Sequence, residues 1–249
     1  MKVNKLLLAV YFWLVIVVSM SALIVVYMLL WVISRPFDRK QYFIQKITQF
    51  WANFYIYIFP FWSVSAIGTE KLFRNRACIA VSNHQSMGDI IFLFNAYAYF
   101  IWVSKIENFQ VPILGWVMTL NKYIRLKRKD PRTFPKMFED IKNALADKRT
   151  IMMFPEGTRS KTSMPGRFKE GAFKAAIDNK VSIVPIVLDG AEKVMKKDAE
   201  GKIHKVQVTI KVLDEIPYES FPSYDPAVLK EYVREIIVNE LVSLRQQKA

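Results

Sequence analysis

Two long apolar runs open the chain, and shorter ones alternate with amphipathic stretches behind them. From Leu6 to Ser34 there are 29 consecutive residues without a charge, a glycine or a proline. About 20 apolar residues suffice for a helix to cross the hydrocarbon core of a bilayer, so this run predicts a retained membrane anchor. The apolar region of a cleaved signal is shorter, about 7–15 residues, and is followed by small residues. Here only Ser19, Ser21 and Ala22 hint at such a site. Lys2 and Lys5 precede the run, and Arg35, Arg39 and Lys40 follow it against a single Asp38. With a basic domain behind them, these flanks put the C-terminal side in the cytoplasm. The second run, Gln41 to Ala66, mixes Phe43, Phe50, Trp51, Phe54, Tyr55, Tyr57, Phe59, Phe61 and Trp62 with Gln45, Lys46, Gln49 and Asn53, and Pro60 breaks it. Aromatics among a few polar residues suit the headgroup zone. It reads as an interfacial helix beside the anchor, with a core helix of the folded domain as the alternative. The first run either spans the bilayer or joins the second in a hairpin that enters one leaflet.

From Ile67 onward the pattern changes. Strands are predicted at Ala77–Ser82, Ile101–Ser104, Tyr123–Leu126, Thr150–Phe154, Ser182–Leu188 and Lys205–Leu213. Helices are predicted at Asp89–Phe100, Pro112–Leu120, Pro131–Asp147 and Phe168–Asn179. A last helix is capped by Asp225, has Pro226 at its first position and runs to about Arg245. Pro185 inside a strand points to a sheet edge or a bulge. This alternation is that of an α/β fold with a mainly parallel, mixed sheet flanked by helices. The expected division is a membrane-anchoring two-helix segment over residues 1–66 and an α/β domain over 67–249.

Composition narrows the function. The net charge is +14 on a chain that is 52% hydrophobic, which excludes a disordered basic tail. One cysteine, Cys78, excludes a disulfide scaffold. The charge admits nucleic acid, an anionic membrane surface or a phosphorylated substrate as partner. Residues 1–66 carry six basic side chains and one acidic, so +9 of the +14 falls on the α/β domain. No HExxH, CxxC, GxSxG or Gly-rich phosphate loop occurs. Of the two histidines, His204 lies between Lys202 and Lys205 and reads as an exposed surface group.

His84 is different. It sits in Ser82-Asn83-His84-Gln85-Ser86-Met87-Gly88-Asp89, straight after a buried strand. In open α/β sheets ligands bind at the carboxyl ends of strands. A histidine there can take a proton from a hydroxyl, and a carboxylate on its other ring nitrogen fixes the tautomer. Asp89 is the carboxylate at hand. A continuous helix would turn about 500° between the two and set them roughly 140° apart. They meet only if His84 stays in the turn and Asp89 opens the helix. A second polar cluster, Phe154-Pro155-Glu156-Gly157-Thr158-Arg159-Ser160, follows the strand at Thr150. Glu156-Gly157 with Thr158 can turn N–H groups and a hydroxyl inward, and Arg159 offers a fork that matches a phosphate. Lys105 also follows a short strand, and Lys122, Arg125, Lys127, Arg128, Lys129 and Arg132 make a dense basic stretch.

These residues resemble the glycerolipid acyltransferases. NHQSMGD, with Asn83, His84 and Asp89, matches their NHx4D motif, and FPEGTRS matches their EGTR motif. Val103–Glu107 resembles the lysine segment between them, and Pro112, Gly115 and Trp116 the helix after it. Tyr123–Arg128 resembles a further block, with Lys127 where Asp is usual and Arg125 where Pro is common. Phe168–Ala172 and Val184–Ile186 match two later blocks, so the resemblance covers about residues 65–215.

The resemblance implies transfer of an acyl chain from a thioester to the sn-2 hydroxyl of lysophosphatidic acid, giving phosphatidic acid. It implies His84 as base, Asp89 as its orienting partner, and Lys105, Arg159 and Arg128 as phosphate ligands. N–H groups near Gly157 would serve the oxyanion. Glu156 would either bind a glycerol hydroxyl or brace the basic residues. No metal or resident cofactor is implied; acyl-CoA or acyl-acyl carrier protein enters as co-substrate. The expected setting is a bacterial inner membrane, with anionic phospholipid as partner and the α/β domain on the cytoplasmic side. Glycerol-3-phosphate as acceptor, a thioesterase or lipase in which water replaces the lipid hydroxyl, and an acyl-enzyme on Ser82 or Ser86 stay open. So does a non-catalytic binding protein. Nucleic acid is not needed to explain the charge.

Overall fold

The computed structural model describes residues 5–59, 61–72, 75–97, 99–128, 130–160, 162–193, 205–221 and 223–248. Pro60, Lys129 and His204 lie outside the described residues. The first run forms α1 (Lys5–Ser34) and the second α2 (Tyr42–Ile58), after which the chain enters β1 (Trp62–Ile67). There follow β2 (Cys78–Ser82), α3 (Asp89–Ala96), β3 (Phe100–Lys105), a 3-10 turn at Ile106–Gln110, α4 (Leu114–Leu120) and β4 (Ile124–Leu126). Then come α5 (Phe134–Ala146), β5 (Thr150–Met153), α6 (Gly171–Asp178), β6 (Ser182–Asp189), β7 (Val206–Val212) and α7 (Pro226–Gln246).

The strands form one mixed sheet in the order β1-β7-β6-β2-β5-β3-β4. The five from β6 to β4 run parallel, and β7 turns back antiparallel to β6 with β1 parallel to it. All five residues of β2 are buried, as a central parallel strand demands. Its alternate side chains feed two layers. Ile79 and Val81 join a core with Ile141 of α5, Phe173 of α6 and Leu229, Val233, Ile237, Leu241 and Leu244 of α7. Cys78 and Ala80 join the opposite core with Phe92 and Leu93 of α3 and Ala52 of α2. The α7 residues recur every three or four positions, which is why that helix docks, and truncating such a residue to alanine costs about 2–5 kcal/mol.

Four expectations change. The helix expected over Asp89–Phe100 ends at Ala96, and Phe100 already opens β3. Trp62–Ala66 belong to an edge strand rather than to the expected membrane segment, the pairing running from Trp62↔Val206 to Ile67↔Lys211. The sheet therefore begins before the boundary expected at residue 66. Pro185 lies in an interior strand, so the edge reading fails, but the bulge reading holds. Ile183 bridges Ile216, and the ladder resumes at Ile186↔Val212. Two residues on β6 thus face three on the returning chain, and the Pro185 carbonyl still accepts from Leu213 N–H at 2.9 Å. The helix expected from Phe168 starts at Gly171, and just ahead of it Lys169 N–H donates to the Pro155 carbonyl at 2.8 Å.

α1 and α2 lie antiparallel. Tyr11 meets Phe59 edge-on, the Ser19 and Tyr55 hydroxyls are 3.0 Å apart, and Tyr27 is 3.2 Å from Thr48. The pair also docks on α4. Asn121, fully buried, donates to the Tyr27 and Thr48 hydroxyls at 2.7 and 3.2 Å, and Ile24, Tyr27, Ile44, Trp51 and Val117 close an apolar cluster around them. α2 thus packs inward through Ile44, Thr48 and Trp51 while Phe43, Phe50 and Tyr57 face outward at heptad spacing. Leu14–Ser34 of α1 is one helix long and apolar enough to cross a membrane, with mean hydropathy 2.7, and most of it is uncovered. α4 in turn rests on the turn at Ile106–Gln110. A Cβ on Gly115 would strike the Phe109 carbonyl. Gly115→Ala is therefore expected to lower unfolding stability by about 2 kcal/mol, read as a shift in the denaturation midpoint in detergent. An unshifted midpoint would mean the contact is soft.

Candidate active site

Strand direction places the site. β2 and β5 are paired and parallel, so the segments after Ser82 and Met153 leave the sheet side by side. His84 stays in the turn and Asp89 is the first residue of α3, the only local arrangement that lets them meet. His84 Nδ1 is 2.7 Å from Asp89 Oδ2. The Asp89 carboxylate, wholly buried, also accepts Gln85 N–H at 2.6 Å, Ser86 N–H at 3.0 Å and the Ser86 hydroxyl at 3.1 Å. The imidazole lies flat on Phe154, centroids 4.1 Å apart and planes 13° from parallel. The ring is thus held by its edge and its face, with Nε2 left for a substrate.

His84 lines a cleft with Lys105, Asn108, Leu126, Arg128, Phe154 and Gly157. The structure so gathers both motif loops, the lysine that ends β3 and the arginine after β4. Arg128, not Lys127, is the cation that turns in; Lys127 pairs with Asp130 at 3.3 Å. Lys105 is half-exposed and 3.2 Å from Glu107. Thr158 and Arg159 are exposed and stand next to Gly157 but outside the cleft lining.

Glu156 is buried and acts on the main chain. Oε1 accepts His84 N–H at 2.8 Å, and Oε2 accepts Gly166 N–H at 2.8 Å and the Ser160 hydroxyl. Ser160 N–H returns to the His84 carbonyl at 2.8 Å. The described partners of Glu156 are therefore the two motif loops and the segment at Gly166, where the sequence suggested a substrate hydroxyl or the basic side chains. Gly157, at φ +69° in the turn, spends its own N–H on the Phe154 carbonyl at 3.0 Å, so that amide is not an oxyanion donor. Asn83 is a bidentate clamp, donating to the Leu188 carbonyl at 2.8 Å and accepting Leu188 N–H at 2.9 Å. Gln85 accepts Ala191 N–H at 3.0 Å. Both bind the motif loop to the end of β6. Ser82 is buried and donates to the Asn83 carbonyl, and the Ser86 hydroxyl is taken by Asp89, so neither stands as a free nucleophile. The stacking of Phe154 and the presence of Asn108 in the cleft were not signalled by sequence, since both depend on which strands are neighbours.

A family model described as acyltransferase matches residues 63–189, just over half of the chain. A chloroplastic 1-acyl-sn-glycerol-3-phosphate acyltransferase from Arabidopsis thaliana is 34% identical over 215 residues, which is 84% of this chain and 59% of that protein. Proteins of the same name from Saccharomyces cerevisiae and Helicobacter pylori are 30% and 33% identical, over 72% and 54% of this chain and 59% and 58% of theirs. The chain thus spans less than two thirds of the length of these relatives. The crystal structure of a 1-acyl-sn-glycerophosphate acyltransferase from Thermotoga maritima has the same fold, with TM-score 0.75 over 97% of this chain and 96% of that one, at 24% identity. Both motifs fall inside the matched span and fold onto one cleft, and the chain belongs to the acyltransferase family.

Proposed function

We propose that this protein moves an acyl chain from a thioester to the sn-2 hydroxyl of lysophosphatidic acid, giving phosphatidic acid. The observation that carries the reading is the His84–Asp89 pair at 2.7 Å on the wall of a cleft that also holds Lys105 and Arg128. The names of the relatives support the acceptor. His84 Nε2 takes the hydroxyl proton as the lipid oxygen bonds to the thioester carbon. The tetrahedral oxyanion collapses, the C–S bond breaks, and the thiolate leaves with the proton from the imidazolium. Asp89 holds the tautomer and balances the imidazolium charge. Lys105 and Arg128 hold the phosphate, with Arg159 as a third cation from the rim. With Gly157 N–H spent, the amides of Thr158 and Arg159 are the oxyanion donors left in that turn. The chemistry asks for no resident cofactor, and acyl-CoA or acyl-acyl carrier protein serves as donor to a basic surface.

The acceptor is an amphiphile, and the uncovered apolar face of α1 with Phe43, Phe50 and Tyr57 of α2 would hold the domain at its lipid. We place α1 and α2 in a bacterial inner membrane, with the α/β domain on the cytoplasmic side as the basic flanks suggest. The test is phosphatidic acid formation by purified protein offered lysophosphatidic acid or glycerol-3-phosphate, each with acyl-CoA and acyl-acyl carrier protein. Product from lysophosphatidic acid supports the reading. Donor consumed without phosphatidic acid would overturn it in favour of a thioesterase. Replacing Lys105 or Arg128 by alanine is expected to raise KM for lysophosphatidic acid about tenfold with kcat largely kept, the cost of one charge-assisted hydrogen bond. An unchanged KM removes that residue from the phosphate.

A further inference from the structure

α7 lies outside the span matched by the family model, yet its cations hold the segment that follows the EGTR loop. Arg234 Nε donates to the Gly166 carbonyl at 2.8 Å and Nη2 to the Pro165 carbonyl at 3.1 Å. Arg245 lies eleven residues on, about three turns, and so shares a face with Arg234. Arg245 donates to the Ser163 carbonyl at 3.0 Å and to Asp189 Oδ1 at 2.8 Å, with Lys248 2.8 Å from Oδ2 of the same carboxylate. Burial raises the Asp189 pKa, but the hydrogen bonds and charges of Lys248 and Arg245 outweigh it and leave the carboxyl below its ordinary range. One face of α7 therefore grips residues 163–166 and the end of β6 together.

The inner side of that segment faces the site. Gly166 N–H donates to Glu156 Oε2 at 2.8 Å, and Glu156 Oε1 accepts His84 N–H at 2.8 Å. A Cβ on Gly166 would sit 3.1 Å from Glu156 Oε2, so the segment fits closely against the carboxylate. The relay is short, from guanidinium to peptide to carboxylate to the main chain of His84. We propose that Arg234 is a positioning residue for the transfer reaction, fixing Gly166 so that Glu156 fixes His84, with Arg245 holding the same segment at Ser163. Lys230, on the same face of the helix, pairs with Glu170 at 3.0 Å instead and takes no part in the relay.

The proposal rests on the acyl transfer reading, which wild-type turnover tests separately. Two measurements decide it. Arg234→Met is expected to lower kcat about ten- to hundredfold with both KM values kept, but to change kcat less than about twofold in a Glu156→Gln background, because the relay is already cut. Lys230→Met is expected to stay within about twofold of wild type. Independently of turnover, hydrogen exchange at the His84 amide should quicken in Arg234→Met and not in Lys230→Met. Equal losses of kcat in both backgrounds, equal losses from Lys230→Met, or an unchanged His84 amide would each overturn the relay.

Discussion

Replacing His84 by alanine is expected to lower kcat about a thousandfold, with KM for lysophosphatidic acid and for the donor nearly unchanged. General base catalysis contributes about 10²- to 10⁴-fold, and a thousandfold corresponds to about 4 kcal/mol at the transition state. The binding terms survive because Lys105 and Arg128 reach the cleft from the ends of β3 and β4, independently of the imidazole. The fold survives because His84 is tied in through its backbone, N–H to Glu156 and carbonyl to Ser160, both at 2.8 Å. What disappears is the ring stacked on Phe154 and with it the Nε2 base. Initial rates over a range of both substrates separate kcat from KM. Turnover within tenfold of wild type would remove His84 from the chemistry.

The pair was legible because its two members are close in sequence and one strand and one helix bracket them. The element order from β2 to α7 was legible for a similar reason, since buried β-branched runs and amphipathic helices differ in period. What was not legible depends on long-range pairing. Trp62–Ala66 ends an aromatic run and reads as its tail, and it becomes a strand only because Val206–Ile210 arrives beside it. Glu156 reads as a ligand for a glycerol hydroxyl or a brace for the basic residues, whereas its described partners lie at His84, 72 residues back, and at Ser160 and Gly166. Arg159 was weighted by its motif, yet Arg128 is the arginine the sheet order carries into the cleft. In each case residue type was informative and partner was not, because the partner is chosen by strand order.

Asp89→Asn should lower kcat about 10²- to 10³-fold, and the reason lies in the donors around the carboxylate. Oδ2 accepts His84 Nδ1, Gln85 N–H and Ser86 N–H at 2.7, 2.6 and 3.0 Å, while Oδ1 shares the same Ser86 N–H at 3.0 Å and accepts the Ser86 hydroxyl at 3.1 Å. An asparagine has one acceptor oxygen where the carboxylate has two. If its NH2 took the Oδ2 place it would face three donors. If it took the Oδ1 place, the Ser86 hydroxyl could rotate to accept, and the Ser86 amide would keep one of its two acceptors. The second orientation is therefore preferred, and it keeps the oxygen on His84 Nδ1. Geometry and tautomer are then largely preserved, so the lost rate reports the missing negative charge beside the forming imidazolium. The Ser86 amide, keeping one acceptor but facing the new NH2, should cost about 1 kcal/mol of stability, visible in the denaturation midpoint. Because Asp89 acts only through His84, the His84→Ala, Asp89→Asn double variant should be no slower than His84→Ala alone. Additive losses in that cycle would mean that Asp89 touches the reaction by another route, and the pair would cease to be a catalytic unit.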